Sequence, residues 1–214
     1  MNTLCNIQSN VMQYKSVAPV SLTPIPDLFW YKLNNNCYNY KVTNSPILDA
    51  SFGGVPSFVA SRIPGELCFS ASGGVGTNFV FLPTVTRIPT MTFSCWINCT
   101  SFTVFSRVFD YGSFRLAFRG SSRLQLNDLY NLNFTKTLIG SWRHVCFTVN
   151  GTVFNHYEDG VFKGTLTITP FNSSSTGYIA KSTANDPGAV CSFSDLRLYG
   201  RVLSAAEINT LYNN

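Results

Sequence analysis

GSWRHVCFTVNGTVFNHYEDG, residues 140–160, gathers a tryptophan, two histidines, a cysteine and two carboxylates into twenty-one positions. It reads either as a reactive site or as a piece of β structure that uses these residues for packing. Successive side chains of a strand point to opposite faces. Trp142, His144, Cys146 and Thr148 then share one face, and Arg143, Val145, Phe147 and Val149 share the other. Asn150-Gly151 is a two-residue hairpin signal, after which Thr152 to Tyr157 returns as the paired strand. Glu158-Asp159-Gly160 makes a second tight turn into Val161-Phe162-Lys163, so the stretch predicts a β-meander. His144 and Cys146 are spaced so that a thiolate and its base would touch, but Trp142 shares their face and no third orienting group is evident. The reading is therefore a histidine packed between strands, with Trp142 a structural core aromatic and His156 on the strand surface.

Outward from the meander, short apolar runs alternate with turn residues: LFWYKL, GELCFSA, NFVFLP, TMTFSCWI, FRLAFRG, RLQLN, KGTLTI, GYIA and SDLRLY. Many short strands separated by turn signals predict an all-β sandwich or barrel. Helical spacing appears only at the end, where Ser204 and Glu207 form a capping box and Leu203 stands ready to staple against Ile208. Leu198, Leu203, Ile208 and Leu211 are expected to seal the sandwich edge. Residues 1–26 show no sustained periodicity and finish in VAPVSLTPIP, which favours extended backbone. The division is an extended N-terminal arm over 1–26 and one sandwich domain over 27–214.

Composition narrows the function classes. Charged residues make up 12% of the chain, about half the usual share, while hydrophobic residues make up 45%. The net charge of +5 comes with no basic run longer than two, so nucleic acid is not an expected partner. No apolar stretch reaches the ~18 residues of a membrane helix, and the N-terminus lacks the pattern of a secretory signal. These features lead to an expected intracellular or virion component with no membrane insertion. The seven cysteines are read mainly as buried free thiols, since most lie in apolar strand-like runs. Cys95-x-x-x-Cys99 has metal-ligand spacing but no companion pair, so neither a metal nor a cofactor is expected. The sequons at Asn98, Asn133, Asn150 and Asn172 are uninformative in a chain this rich in Asn, Ser and Thr.

Trp142-x-His144, Tyr157-x-Asp159-Gly160, Gly177-Tyr178-Ile179, Phe193-Ser194-Asp195-Leu196-Arg197-Leu198-Tyr199 and Leu203-Ser204-x-x-Glu207-Ile208-x-x-Leu211-Tyr212 follow one another in order. With Trp30-Tyr31-Lys32-Leu33, Asp49-Ala50-Ser51 and Phe79-Val80-Phe81-Leu82-Pro83 upstream, the chain resembles the laminin-G-like, concanavalin A-like lectin and glucanase superfamily over residues 27–212. The resemblance implies a two-sheet antiparallel jelly-roll sandwich closed by a short C-terminal helix. It leaves function open, because this fold carries glycan binding, protein binding and glycoside hydrolysis.

Hydrolysis needs two carboxylates flanking the bond. The chain has three glutamates, Glu66, Glu158 and Glu207, far apart in sequence, and the Glu-x-Asp-x-x-Glu motif of the superfamily's glucanases is missing, so no enzyme is expected. The distinctive surface pattern is RLAFRGSSRLQLN, residues 115–127. If Gly120-Ser121-Ser122 turns, Phe114, Leu116, Phe118, Leu124 and Leu126 face the core and Arg115, Arg119, Arg123 and Gln125 face out. Three guanidiniums on one sheet face suit carboxylate or sulfate groups, and the same pattern also reads as an ordinary solvated strand face. Asp128 and Asn131 join them as candidate ligand-binding residues; with Asn133 they would supply only part of a calcium shell, and their spacing is unspecific. Gly73-Gly74-Val75-Gly76 lacks the following Lys-Ser/Thr of a phosphate cradle and reads as a strand connection. Two readings follow: a recognition module for a glycan or protein partner within a larger assembly, or a structural subunit contacting its neighbours in a particle such as a virion.

Overall fold

A computed structural model describes residues 24, 26, 28–37, 40, 49–75, 77–85, 89–112, 114–170, 175–182 and 186–214. Most of the expected arm, Cys5, the expected boundary at Asp27, Gly76 and the Asn172 sequon lie outside the described residues.

Two antiparallel sheets stack face to face. The first runs β13 (Val161–Thr167), β12 (Val153–Glu158), β11 (Arg143–Asn150), β6 (Thr90–Ser101), β15 (Val190–Tyr199), β4 (Leu67–Ser70) and β3 (Ser57–Ala60). Its eighth strand, β1 (Phe29–Tyr31), shares one edge of the long β15 with β4. The second sheet runs β10 (Tyr130–Asn133), β9 (Arg123–Leu126), β8 (Phe114–Gly120), β7 (Arg107–Tyr111), β14 (Ser175–Ile179), β5 (Asn78–Val85) and β2 (Ser51–Gly54).

Alternation along each strand builds the layer between the sheets. Phe93, Phe147, Phe154 and Phe193 of the first sheet and Phe109, Leu116, Phe118 and Leu124 of the second are buried in one cluster. Rings meet across the gap, Phe93 on Phe109 at 4.6 Å and Phe114 near Phe154 at 6.3 Å. A void of about 10 Å³ beside Phe93, Phe109, Tyr111 and Leu196 is apolar and barely the size of one water, so it holds no ligand.

The meander forms as β11–β12–β13. Asp159 and Gly160 both take the left-handed backbone (φ 50° and 75°) that a two-residue hairpin demands, with Glu158 paired to Val161. The earlier turn falls one residue later than Asn150-Gly151 predicts: Asn150 pairs with Val153, leaving Gly151 and Thr152 as the turn. Val145, Phe147 and Val149 face the inter-sheet core. Cys146, on the opposite face, packs with Tyr157, Tyr199, Leu203, Ile208 and Leu211 beneath helix α1 (Ala205–Asn213). The helix therefore covers the outer face of the first sheet, not its edge. Leu198 belongs to the inter-sheet cluster, and its neighbour Tyr199 meets the helix, because adjacent strand residues point opposite ways.

The capping box is present: Glu207 N donates to Ser204 Oγ at 3.3 Å and Ser204 N to Glu207 Oε2 at 2.8 Å. Arg201 Nη2, at 2.6 Å, holds the Glu207 carboxyl down to about 2, helped by the Ser204 donors. Ser204→Ala should lower stability by about 1 kcal/mol in urea denaturation; an unchanged midpoint would show that helix packing alone fixes this end.

Other expectations are corrected. Trp142 precedes the first residue of β11 and is half-buried, outside the core clusters. Its expected place beside His144 is taken by Trp96, the cross-strand partner of His144, whose ring stacks on Tyr212 at 5.6 Å. His156 is 6% exposed, not on the surface, because residues 133–134 close over it: its Nε2 lies 3.3 Å from Asn133 O and Phe134 packs edge-on. Cys37, Cys68, Cys95 and Cys146 are buried and free, but Cys99 is bonded to Cys191. These two lie 92 residues apart and become neighbours through the β6–β15 register. Near the amino end, Pro24 and Pro26 are buried, and Tyr199 Oη donates to Pro24 O at 3.0 Å.

Candidate functional site

The reactive-looking residues of 140–160 serve the fold. His144 is 1% exposed, with Nε2 2.8 Å from Ser94 Oγ, and burial lowers its pKa to about 4. Burial likewise pushes the Cys146 thiol far above its ordinary value, so the pair is a neutral imidazole and a neutral thiol. Glu158 is 2% exposed and clamps the loop after β10, accepting from Thr135 N at 2.8 Å and Lys136 N at 2.9 Å, with Lys163 Nζ at 3.2 Å. Asp159 accepts from His144 N at 3.1 Å and pairs with Lys136 and Arg143. Neither carboxylate is placed to meet a substrate.

The outer face of the second sheet differs. Phe109, Leu116, Leu126, Val80 and Ile179 point into the core, so the alternate positions of their strands point out. Register aligns one outward row across five strands: Arg115, Asp110, Tyr178, Phe81 and Ser51. A second row carries Arg107, Ala117, Gln125 and Asn131. One half of the face is thus aromatic and the other is polar.

On the aromatic half, Phe79 meets Phe81 edge-on at 4.7 Å, and Phe81 lies 5.3 Å from Tyr178. Lys181 Nζ sits 4.1 Å from the Phe79 centroid and 5.0 Å from that of Tyr178. Phe79 lies across β2 because Gly53 opposite it has no side chain; a Cβ there would overlap the ring. Phe81 and Tyr178 are half-buried, leaving part of each ring open to a ligand.

On the polar half, Arg107 is 3% exposed and bridges two carboxylates. Its Nη1 and Nη2 donate to the two Asp128 oxygens at 2.9 and 3.2 Å, and its Nε and Nη2 donate to Asp186 Oδ2 at 3.0 and 2.7 Å. That contact holds the Asp186 carboxyl below its usual range. Ser182 Oγ joins Asp186 at 3.2 Å to Asp110 at 3.5 Å. Asn127 and Asp128 adopt positive φ (51° and 61°), which these short polar side chains tolerate. Asn127 Oδ1 accepts from Arg115 N at 2.8 Å, fixing the turn that aims Asp128 at Arg107.

The six residues expected from sequence lie on or beside this face. Arg115 Nη2 is 3.5 Å from Asp128 Oδ2, Arg119 Nε donates to Gln125 Oε1 at 2.5 Å, and Gln125 Nε2 reaches Asn131 Oδ1 at 3.5 Å. Arg123 Nη2 reaches Arg119 O at 3.4 Å and is otherwise exposed. Gln125, expected outside, faces that way but is 6% exposed. Sequence reasoning missed Arg107, Asp186, Lys181, Phe79, Phe81 and Tyr178. The alternation Phe79-x-Phe81 was visible, but strand register alone sets those rings beside Tyr178 and puts Phe81 in one row with Arg115 three strands away. Among the described residues, no group of three His, Cys, Asp or Glu side chains is arranged to hold a metal ion.

The two-sheet topology has a counterpart in sequence: the family model of the concanavalin A-like lectin/glucanases superfamily matches residues 73–209. The chain belongs to that superfamily. No curated protein sequence matches it significantly. Among solved structures, this superfamily member is similar to domain 4 of a GH43 extracellular arabinanase from Geobacillus stearothermophilus in complex with arabinotriose. The TM-score is 0.68 at 17% identity, covering 86% of this chain and 97% of that one. It is also similar to the binding domain of botulinum neurotoxin DC in complex with SialylT, with a TM-score of 0.63 at 15% identity, covering 87% of this chain and 50% of that one. A structure of botulinum neurotoxin type C, whose cell entry depends on interaction with two ganglioside molecules, gives a TM-score of 0.62 at 16% identity, covering 87% of this chain and 50% of that one. The chain thus spans about half the length of the neurotoxin structures. At these identities the likeness is one of fold.

Proposed function

We propose that this concanavalin A-like domain is a non-catalytic module that binds a glycan on the outer face of its second sheet. The observation that carries this reading is the half-open ring pair Phe81 and Tyr178 set in one row with Asp110 and Arg115. Aromatic faces take the apolar face of a sugar, while planar guanidinium, carboxylate and amide groups at fixed positions pair with its hydroxyls. The arabinotriose bound by the arabinanase domain and the glycans named for the neurotoxin structures support the reading at the level of fold. The non-catalytic reading is supported by the engagement of the carboxylates: Glu158 and Glu207 serve a loop clamp and a helix cap, Asp128 and Asp186 are held by Arg107, and Asp110 accepts from Gly112 N and Ser182 Oγ. The structural-subunit reading would place its contacts on the N-terminal arm, most of which lies outside the described residues.

Tyr178→Ala and Phe81→Ala test the proposal. Each removes a stacking surface, so each should weaken binding of glycans captured on an oligosaccharide array by about tenfold, while melting stays within a few degrees of the parent. Undiminished capture by both variants would remove this face from the binding role.

A further inference from the structure

We infer that the ligand of this face is an acidic sugar whose carboxylate is seated against Arg115, with Arg119 and Arg123 adding positive charge farther along the same hairpin; the inference rests on the glycan-binding reading above and narrows it. The argument is one of charge left over. The face carries five cations, Arg107, Arg115, Arg119, Arg123 and Lys181, against three carboxylates, Asp110, Asp128 and Asp186. Arg107 engages both Asp128 and Asp186. Asp110 points its oxygens at Gly112 N (3.0 Å) and Ser182 Oγ (3.5 Å).

What remains for Arg115 is the 3.5 Å contact with Asp128, which Arg107 already holds at 2.9 Å. Arg115 Nε is shielded from solvent and has no hydrogen-bond partner among the described residues. A sheltered donor without an acceptor is costly, and the Arg115 side chain as a whole, 32% exposed, still offers its other guanidinium donors to an incoming oxygen. Arg119 and Arg123 have no carboxylate partner among the described residues, nor does Lys181. The Arg119 guanidinium is stacked 3.8 Å from the Phe105 ring and tied at Nε to Gln125, which fixes its plane. A stacked guanidinium keeps its donors at the ring edge, in the geometry that pairs with a carboxylate through two parallel bonds. Arg115 stands in the row of Tyr178, two strands away or roughly 10 Å across the sheet. A sugar stacked on the rings would therefore place a carboxylate on its own ring, or on the next residue, within reach of Arg115.

Calorimetric titration of the full chain against matched pairs tests this. The pairs are sialyllactose against lactose and trigalacturonate against its methyl ester, with a heparin-derived tetrasaccharide as the sulfate arm. The acidic member of at least one carboxylate pair should bind about tenfold or more tightly than its neutral partner. Raising NaCl from about 0.05 to about 0.5 M should weaken that member alone. Arg115→Met should bring the acidic member to the neutral level and Arg119→Met should lower it only in part, whereas Tyr178→Ala should weaken both members together. Equal affinity within the pairs, with Tyr178→Ala still damaging, overturns the acidic assignment and leaves the glycan reading standing. Anion binding that ignores Tyr178→Ala sinks the glycan reading instead. Binding confined to the sulfated probe overturns the carboxylate assignment, and no binding to any probe overturns both. Should an arginine variant fail to fold, the salt response of the parent protein decides the matter.

Discussion

Phe147→Ala should destabilise the domain by about 3 to 5 kcal/mol, the cost of a large cavity in a well-packed core. Phe147 is fully buried at the centre of β11, with ring centroids 5.9 Å from Phe93 and 5.6 Å from Phe154. Those two rings in turn face Phe109 and Phe114 of the other sheet, so one truncation loosens the contact between layers. Trp142, though the larger side chain, stands half-buried ahead of the strand, and Trp142→Ala should cost only about 1 kcal/mol. Urea denaturation of both variants checks the order. A Trp142 variant less stable than the Phe147 variant would contradict this assignment of the core.

The second large effect is a loss of stability in acid traceable to His144. Burial is the main cause of its low pKa of about 4; Asp195 and Asp159 oppose the shift, while Arg197 and Arg62 reinforce it. In the unfolded chain the imidazole titrates near 6.5. Between those values the unfolded state binds the proton that the folded state refuses, so stability falls as pH drops from about 6.5 toward 4 and is fully retained above 6.5. The contribution lost at pH 4.5 is on the order of 2 to 3 kcal/mol. His144→Gln keeps a polar partner for Ser94 Oγ but cannot titrate. The difference in unfolding free energy between pH 7.5 and 4.5 should therefore be smaller in the variant than in the parent, by on the order of 2 to 3 kcal/mol. Carboxylates act alike in both proteins, and equal differences would show that His144 is protonated in the folded state.

Period-two alternation and turn chemistry, both local properties, made most strands and the meander legible in the sequence. Asp159-Gly160 turns where its residues allow positive φ, Ser204 and Glu207 start the helix, and Phe114 to Leu126 divide into core and surface faces as alternation predicts. Strands whose polar residues interrupt the pattern, such as β7 with Arg107 and Asp110, escaped notice because their outward side chains answer to a distant partner and not to their neighbours in sequence. Alternation also separates faces without saying what will cover them. Thus His144 and Cys146 were correctly paired on one face, but only the docked helix decided that this face is dry. Trp142 and His156 were misplaced for the same reason: burial at a strand's end or on its second face depends on loops and elements that arrive from elsewhere in the chain. The candidate site shows the limit most clearly. The sequence pattern could reveal three arginines on one hairpin, but the contact of Arg115 with Asp128, the Arg107–Asp186 bond between residues 79 apart, and the row that sets Arg115 two strands from Tyr178 exist only in the register of the second sheet.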